Sequence, residues 1–479
     1  MAIVITLVIL LVVVSVVFFI VYKYKNRRLK PDYFEYYKTQ DKVPKGKVGV
    51  FVTSLIMTEN HVHEFWYNVA YKIFNAVVPW PFRLLAFKDN GIALFDPAHI
   101  HAREEFTPTR LVDPFGNDCD HDGFPYIEKY LEGEVSWAPP SKFIYLDPGY
   151  FLYKGRKGGD PTIVGKMANY SRHYYYSKGI VQKKCPHWQG SFQLINGAFE
   201  KLAQKYPGLE YRVESSLFHY KMKNKLFELL DSGCETIVLV APMTIYSHFE
   251  EFNSSFYHCF EYIEEWEKKH PGKKVKVIIA PQMGDFQPMR QAFLDMLKDR
   301  LDTIPEGSDV FVAVTVHGMP WDNFLWEAWL ELAPPYRDVL FEECKELLKK
   351  YKFGRTETVI CQDEFSDPVW DPKEKYLSTN RAYWNAINDG YDYAIGLPIE
   401  FLAENTDTLM HHAMKCYENF DQFDSEKPID YPDWSVPYTM EYVQDKTRVI
   451  YNGLPVGKYQ KPVVEALFLA VDSVLSNKK

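Results

Sequence analysis

The sequence lacks paired cysteines, which zinc ribbons, iron–sulfur sites and small disulfide scaffolds all require. Its 7 cysteines are scattered, and no two of them stand close enough to form a CxxC motif. This spacing excludes the common cysteine metal and redox motifs. An odd, scattered set of cysteines is typical of reduced thiols in a cytosolic compartment.

The chain also lacks an excess of positive charge. It has 55 Lys and Arg against 64 Asp and Glu, for a formal net charge of −9. Nucleic-acid binding needs a basic surface, so we do not expect nucleic acid as a partner. A GxGxxG turn is absent as well, which argues against a transferase that binds phosphate at such a turn. Aromatic residues are abundant at 16%, but composition alone does not distinguish flat apolar ligands or a membrane surface from aromatic packing.

Residues 3–22 lack any charge, and this is the longest apolar run in the chain. A helix of that length crosses the hydrocarbon core of a bilayer. No Lys or Arg precedes the run, and KYKNRRLK follows it, so the positive-inside rule places the remaining chain in the cytoplasm. A cleaved signal peptide is the alternative, but a basic n-region and an A-x-A site are both missing. We predict a single-pass N-terminal anchor in residues 1–30 that contacts membrane lipid.

Apolar runs of strand length alternate with helical segments along most of the chain. The predicted strands are Lys47–Leu55, Leu209–Glu214, Thr236–Pro242, Lys274–Pro281, Asp309–Val316, Thr356–Gln362 and Tyr391–Pro398. Continuous Val and Ile runs between helices indicate parallel sheets that are covered on both faces. We therefore predict an α/β fold with two Rossmann-like halves behind an N-terminal transmembrane helix.

The alternation of strands and helices also predicts where the halves begin and end. Residues 31–305 form the predicted first half, with a large insertion at about 79–190 that is rich in Pro, Gly, Tyr and His. We interpret the insertion as a lid or a membrane-facing surface. Residues 306–479 form the predicted second half and a C-terminal helix.

Reactive side chains follow two of the predicted strands, at the edge where open parallel sheets bind ligands. His317 comes directly after Asp309–Val316. Glu404, Asp407 and His411 follow the last predicted strand, at i, i+3 and i+7 of a helix predicted to begin near Ala403. Such residues share one helix face, and a line of acid, acid and imidazole suits the passage of a divalent cation or of protons. A core histidine and a solvated polar face are the alternative interpretations.

Four segments occur in the order found in a known family. They lie between Leu209 and Lys415. The segments are VHGMP (Val316–Pro320), PIEFLAENTDTL (Pro398–Leu409), VAPMTIYSHFEEFNSSF (Val240–Phe256) and CQDEFSDPVWDPKEKYL (Cys361–Leu377). The first is similar to an Ala-His-Ser-Leu-Pro motif, and the second to a signature with Pro, Phe, an acid and a later acid-x-Leu. Together they resemble the ferrochelatase family, class II chelatases that insert ferrous iron into a porphyrin.

The resemblance implies roles for individual residues. His317 matches the family's active-site histidine, Asp407 its catalytic glutamate, and His317, Glu404, Asp407 and His411 would handle the metal. Two pyrrole protons must leave before Fe²⁺ enters, and a neutral imidazole is a suitable base near pH 7. The residues expected to contact the porphyrin are Thr53, Met243, Tyr246, Met319, Trp370 and Arg172. Fe²⁺ and porphyrin would be substrates, haem the product, and no tightly bound cofactor is expected.

The chain departs from the family pattern in its N-terminal anchor, in having no cysteine cluster after the core, and in three motifs. Asp407 is one methylene shorter than glutamate, Gly318 and Met319 replace Ser and Leu, and a Gly-Gly-x-Ser-Pro loop is missing. The resemblance implies a ferrochelatase-like lyase, and the apolar N-terminal run, which is not typical of the family, predicts that it is anchored in a membrane. The alternative is a non-catalytic haem- or porphyrin-binding protein, or a subunit of a membrane complex, that keeps the fold.

Overall fold

The architecture comes from a computed structural model of the chain. It describes residues 2–25, 32–56, 186–318, 327–363, 375–404, 408, 416–423 and 435–477. The α/β class and the parallel sheets that the sequence predicts are confirmed within these residues.

The first sheet has four parallel strands in the order β2-β1-β3-β4. Its strands are β1 (Val48–Ser54), β2 (Glu210–Ser215), β3 (Thr236–Val240) and β4 (Lys276–Ile279). All seven residues of β1 are buried, as expected for a Val-rich strand with a neighbour on each side.

The second sheet has six strands in the order β7-β6-β5-β8-β10-β9. Its strands are β5 (Val310–Val316), β6 (Thr356–Gln362), β7 (Leu377–Ser378), β8 (Tyr393–Pro398), β9 (Met440–Gln444) and β10 (Thr447–Tyr451). All pairs are parallel except β9 with β10. That hairpin turns at Asp445, whose φ is 53°.

Helices cover both faces of the sheets. They are α1 (Ala2–Lys25), α2 (Tyr33–Thr39), α3 (Pro186–Lys205), α4 (His219–Asp231), a π-helix (His248–Ser255), α5 (Phe256–Lys269), α6 (Gln287–Leu301), α7 (Glu327–Leu332), α8 (Pro334–Leu348), α9 (Thr379–Asn388) and α10 (Gln460–Leu475). Short 3₁₀ turns lie at Met283–Asp285 and Gly457–Tyr459.

One continuous apolar core joins the two sheets. It contains inward side chains of β1 and β3 from the first sheet and of β5 and β8 from the second, packed with α3, α6, α8 and α10. The C-terminal helix α10, which the sequence groups with the second half, packs against α3 and α6. Because side chains of both sheets are buried in this one core, the two sheets are held together by direct packing.

The N-terminal helix α1 is apolar over most of its length, with Lys23 and Lys25 near its C-terminal end. The side chains described in it are Thr6 and residues 9–19, and all of them are exposed. Among the described residues, no helix meets the length and hydropathy needed to cross a membrane. The N-terminal anchor stays a prediction from the sequence.

Candidate active site

The carboxyl ends of β5 and β8 lie level with each other, which places two reactive residues side by side. Thr315 pairs with Pro398 in the parallel register, and the N–H of Ile399 donates to the carbonyl of Thr315 at 3.0 Å. His317 and Glu400 therefore leave the sheet as neighbours, although 83 positions separate them in the sequence.

A direct hydrogen bond joins these two residues. The backbone N–H of His317 donates to Oε2 of Glu400 at 2.9 Å. The imidazole also packs against Phe401, with ring centroids 5.7 Å apart. The Glu400 carboxylate is buried, and its second oxygen, Oε1, has no hydrogen-bond partner among the residues that the structure describes.

Gly318 fixes the tautomer of the neighbouring imidazole. Nδ1 of His317 lies 3.0 Å from the carbonyl oxygen of Gly318, and since a carbonyl only accepts, Nδ1 must carry the proton. In the neutral ring the lone pair is then on Nε2, the nitrogen that can take a proton or bind a metal. The φ of Gly318 is 91°, a conformation that favours glycine, so this departure from the family motif has a backbone cause.

Burial raises the pKa of the Glu400 carboxyl from its ordinary 4.5 to about 7. The N–H and the charge of His317, together with the charge of Arg337, oppose this rise, whereas the negative charge of Asp363 adds to it. The carboxyl is thus near half ionised at neutral pH. A group in that state both accepts and releases protons efficiently.

A second carboxylate, Asp363, lies on the other side of the β5 end. Its N–H donates to the carbonyl of Val316 at 3.0 Å, directly after β6. The hydroxyl of Thr379 donates to the Asp363 carboxylate, and the thiol of Cys416 lies 3.6 Å from it. His317 therefore emerges from the sheet between two buried acids, Asp363 and Glu400.

Two hydroxyls from other elements hold the Glu400 segment. The Thr244 hydroxyl, in the loop after β3, donates to the carbonyl of Glu400 at 3.1 Å. The buried Tyr336 hydroxyl, on α8, donates to the carbonyl of Ile399 at 2.6 Å. Because Thr244 follows β3 of the first sheet and Glu400 follows β8 of the second, this hydrogen bond joins the carboxyl ends of the two sheets at the backbone of Glu400.

Gly284 packs closely against Thr244 and Tyr336, the two residues whose hydroxyls hold the Glu400 segment. A Cβ at Gly284 would lie 2.5 Å from the Thr244 carbonyl oxygen and 2.9 Å from Cγ of Tyr336. We expect Gly284→Ala to lower the free energy of unfolding by about 1–3 kcal/mol, because the backbone must move to make room. Chemical denaturation measures this. Gly197→Ala in α3 is the control: its Cβ would meet only the Val464 side chain, at 3.2 Å and beyond, so a smaller shift is needed and the loss of stability should be smaller than at Gly284.

Glu404, a predicted metal ligand, is buried and held by hydroxyls. Thr408 donates to its Oε2 at 2.5 Å, and the Tyr451 hydroxyl donates to the same oxygen at 3.0 Å. Ala403 and Glu404 are not helical, although Thr408 lies in a π-helical turn. Residues 405–407 and 409–415 lie outside the described residues, so the helix predicted to begin near Ala403 stays a prediction. Asp407 and His411 lie outside the described residues, so their alignment with Glu404 stays a prediction.

The predicted porphyrin contacts are placed only in part. Thr53 is the last residue but one of β1, and its hydroxyl lies 3.4 Å from the Met222 sulfur. Tyr246 is enclosed, with its hydroxyl facing the carbonyls of Ala241 and Pro281. Both side chains are fully buried, which argues against direct ligand contact by either. Met243 is partly buried beside Thr244. Met319, Trp370 and Arg172 lie outside the described residues.

Comparisons with known proteins give no family assignment. No protein-family model and no curated protein matches the chain. Among solved structures, "SirB from Bacillus subtilis with Fe3+" is similar at 11% identity and a TM-score of 0.35, covering 60% of this chain and 90% of that one. A sugar transporter from Clostridium phytofermentans is similar at 10% identity and a TM-score of 0.23, covering 62% and 89%. Likenesses at these TM-scores support no inference about function.

Proposed function

We propose that the chain is a chelatase that inserts a divalent metal, ferrous iron in particular, into a porphyrin. The observation behind this proposal is the His317–Glu400 pair, in which the backbone N–H of His317 donates to the buried Glu400 carboxylate at 2.9 Å, where the carboxyl ends of the two sheets meet. The sequence resemblance to ferrochelatases, which matches His317 to the family's histidine, is a separate and independent support.

Metal insertion requires proton transfer from the porphyrin, and an imidazole beside a carboxylate can accept those protons. A free-base porphyrin exchanges two pyrrole protons for one M²⁺, so the site must accept two protons for each metal inserted. Glu400, with a pKa raised to about 7 by burial, would take one as its carboxylate. His317 would take the other on Nε2, the nitrogen left unprotonated by the bond to Gly318. Both groups would then return the protons to solvent.

The metal substrate needs a route to the ring, and the predicted line of Glu404, Asp407 and His411 would supply it. Oxygen and imidazole ligands bind Fe²⁺ and release it again more readily than thiolates. Glu404 is preorganised for such a role by the hydroxyls of Thr408 and Tyr451.

A membrane anchor in residues 1–30 would suit this substrate. Porphyrins partition into bilayers, so a cleft held at the cytoplasmic surface would meet its substrate more often than one in free solution. Lipid and porphyrin are therefore the proposed partners, and haem the proposed product.

The experiment is an anaerobic insertion assay on the detergent-solubilised full chain. Loss of free-base porphyrin fluorescence is followed after addition of Fe²⁺ or Zn²⁺, with several porphyrins in parallel. We expect a rate that is proportional to protein concentration and well above the rate without protein. Tight porphyrin binding with no acceleration, across all porphyrins and metals, would instead establish a carrier that keeps the fold.

A further inference from the structure

An open groove runs between α6 and α8, whose inner faces pack on the shared core. It holds about 660 Å³ and is lined by residues of α6, of α8 and of the turn that follows α8. Two contacts fix its walls: Nε of Arg290 donates to Glu343 at 3.0 Å, and the Tyr351 hydroxyl donates to the Lys298 carbonyl at 3.3 Å. These contacts lie eight residues apart on both segments (298 − 290 and 351 − 343), so the helices run parallel and the groove is preformed.

The apolar part of the groove is open to solvent. Leu294 and Leu347, one from each helix, line it and are only partly buried against the core. Val339 lines it too and is 41% exposed. Outside α1, Val436 and Val443 are the other large apolar side chains that are this exposed within the described ranges. An exposed apolar strip inside a preformed groove is typical of an interaction site.

The charged residues of the groove are mostly acidic. Five lining residues are acids and two are lysines, for a net charge of −3 (2 − 5). The acids are Asp295, Asp338, Glu342, Glu343 and Glu346. Glu342 and Glu346 each form an exposed ion pair with the lysine three residues further along the chain. Because exposed pairs of this kind contribute little to stability, these carboxylates can exchange their partners for the cations of a docked chain.

We propose that this groove binds a cationic amphipathic helix of a partner protein. Its lining extends from Asp338 to Lys350, a length of about 18 Å that matches roughly three helical turns. An apolar stripe on the partner helix would cover Val339 and Leu347, and the Lys or Arg side chains beside that stripe would meet the acids. A small polycation would match the charge but would gain nothing from the apolar strip. The inference does not depend on the proposed function.

The test uses a fluorescently labelled peptide of leucine and lysine, arranged as an amphipathic helix. Its affinity for the detergent-solubilised full chain is measured by fluorescence anisotropy, with detergent alone as the blank. We expect binding that weakens as salt is added. Val339→Asn should weaken binding about 10-fold, because an apolar contact is lost. Glu342→Gln combined with Glu346→Gln should weaken it about 3- to 10-fold, because two ion pairs are lost.

Two variants outside the groove are the matched controls. Val443→Asn changes a valine of similar exposure on β9, and Glu264→Gln changes an exposed glutamate on α5 that also pairs with a lysine of its own helix. Both should bind the peptide as wild type does, and a peptide of the same composition in scrambled order should bind at least about 10-fold more weakly.

Four results would overturn the inference. They are no binding of the helical peptide, equal binding of the helical and scrambled peptides, binding that neither groove variant weakens, and self-association of the full chain that Val339→Asn abolishes. The second would show charge attraction alone, and the fourth would show that the groove joins two copies of this chain.

Discussion

Glu400→Gln should lower the rate of metal insertion about 10²- to 10⁴-fold, the usual contribution of a positioned acid–base group. The amide keeps the shape and the bond from the His317 N–H, whose acceptor would be the amide oxygen, but it can no longer take a pyrrole proton. Insertion rates at saturating porphyrin measure the effect. Glu357→Gln, at the amino end of β6 where Tyr391 bonds the carboxylate at 2.7 Å, should retain wild-type turnover.

The same variant should be more stable than wild type at high pH, which separates lost chemistry from lost fold. The Glu400 pKa is raised from 4.5 to about 7 in the folded chain, so folding favours the protonated form. Wild-type stability then falls as pH rises from about 4.5 to about 7, and roughly 3 kcal/mol is lost above that window. Glu400→Gln has no carboxyl to ionise at this position, so its free energy of unfolding should not fall in this pH range. A variant that is inactive and also less stable at pH 8 would contradict the assignment.

His317→Ala should lower insertion by a similar factor while most porphyrin affinity remains. Alanine removes the imidazole that would take the second proton, but it preserves the backbone N–H that holds Glu400. Insertion rates and fluorescence titration measure the two effects separately. His270→Ala is the control, since that ring bonds the Trp266 carbonyl on α5 at 2.9 Å, on the outer layer of the first half.

The double variant tests whether the two groups act together. Groups that form one catalytic unit are strongly non-additive, so His317→Ala with Glu400→Gln should be little worse than either alone. Losses that multiply would show that the two side chains work independently and would contradict the paired mechanism.

The sequence predicted the strands well and the central carboxylate poorly. β6 has the predicted bounds, and β5 begins one residue later than expected, because continuous apolar runs report burial directly. Glu400 is present in the Pro398–Leu409 motif, yet its contact with His317 depends on the relative register of β5 and β8, which no single segment contains. The signal that could have found it is its position, two residues beyond a strand end.

Tertiary contacts explain the remaining differences. The β9–β10 hairpin was not predicted because its turn at Asp445 has no glycine, and glycine is the usual marker of a tight hairpin. Its consequence reaches the site, since Tyr451 at the end of β10 holds Glu404. Glu404 accepts a hydrogen bond from that hydroxyl, and Ala403 packs closely on Gly190 of α3, so these two residues are held outside any helix.

The most direct test of the central claim is a single-turnover measurement across pH. Porphyrin is bound first, excess Zn²⁺ is mixed in, and the insertion rate is recorded between about pH 5.5 and 8.5. If Glu400 accepts a pyrrole proton, the wild-type rate should rise with pH around a midpoint near the Glu400 pKa of about 7, a value on which the charges of His317, Arg337 and Asp363 also act. The rate of Glu400→Gln should stay low and should not rise with pH. A wild-type rate equal to that of Glu400→Gln at every pH would contradict the account.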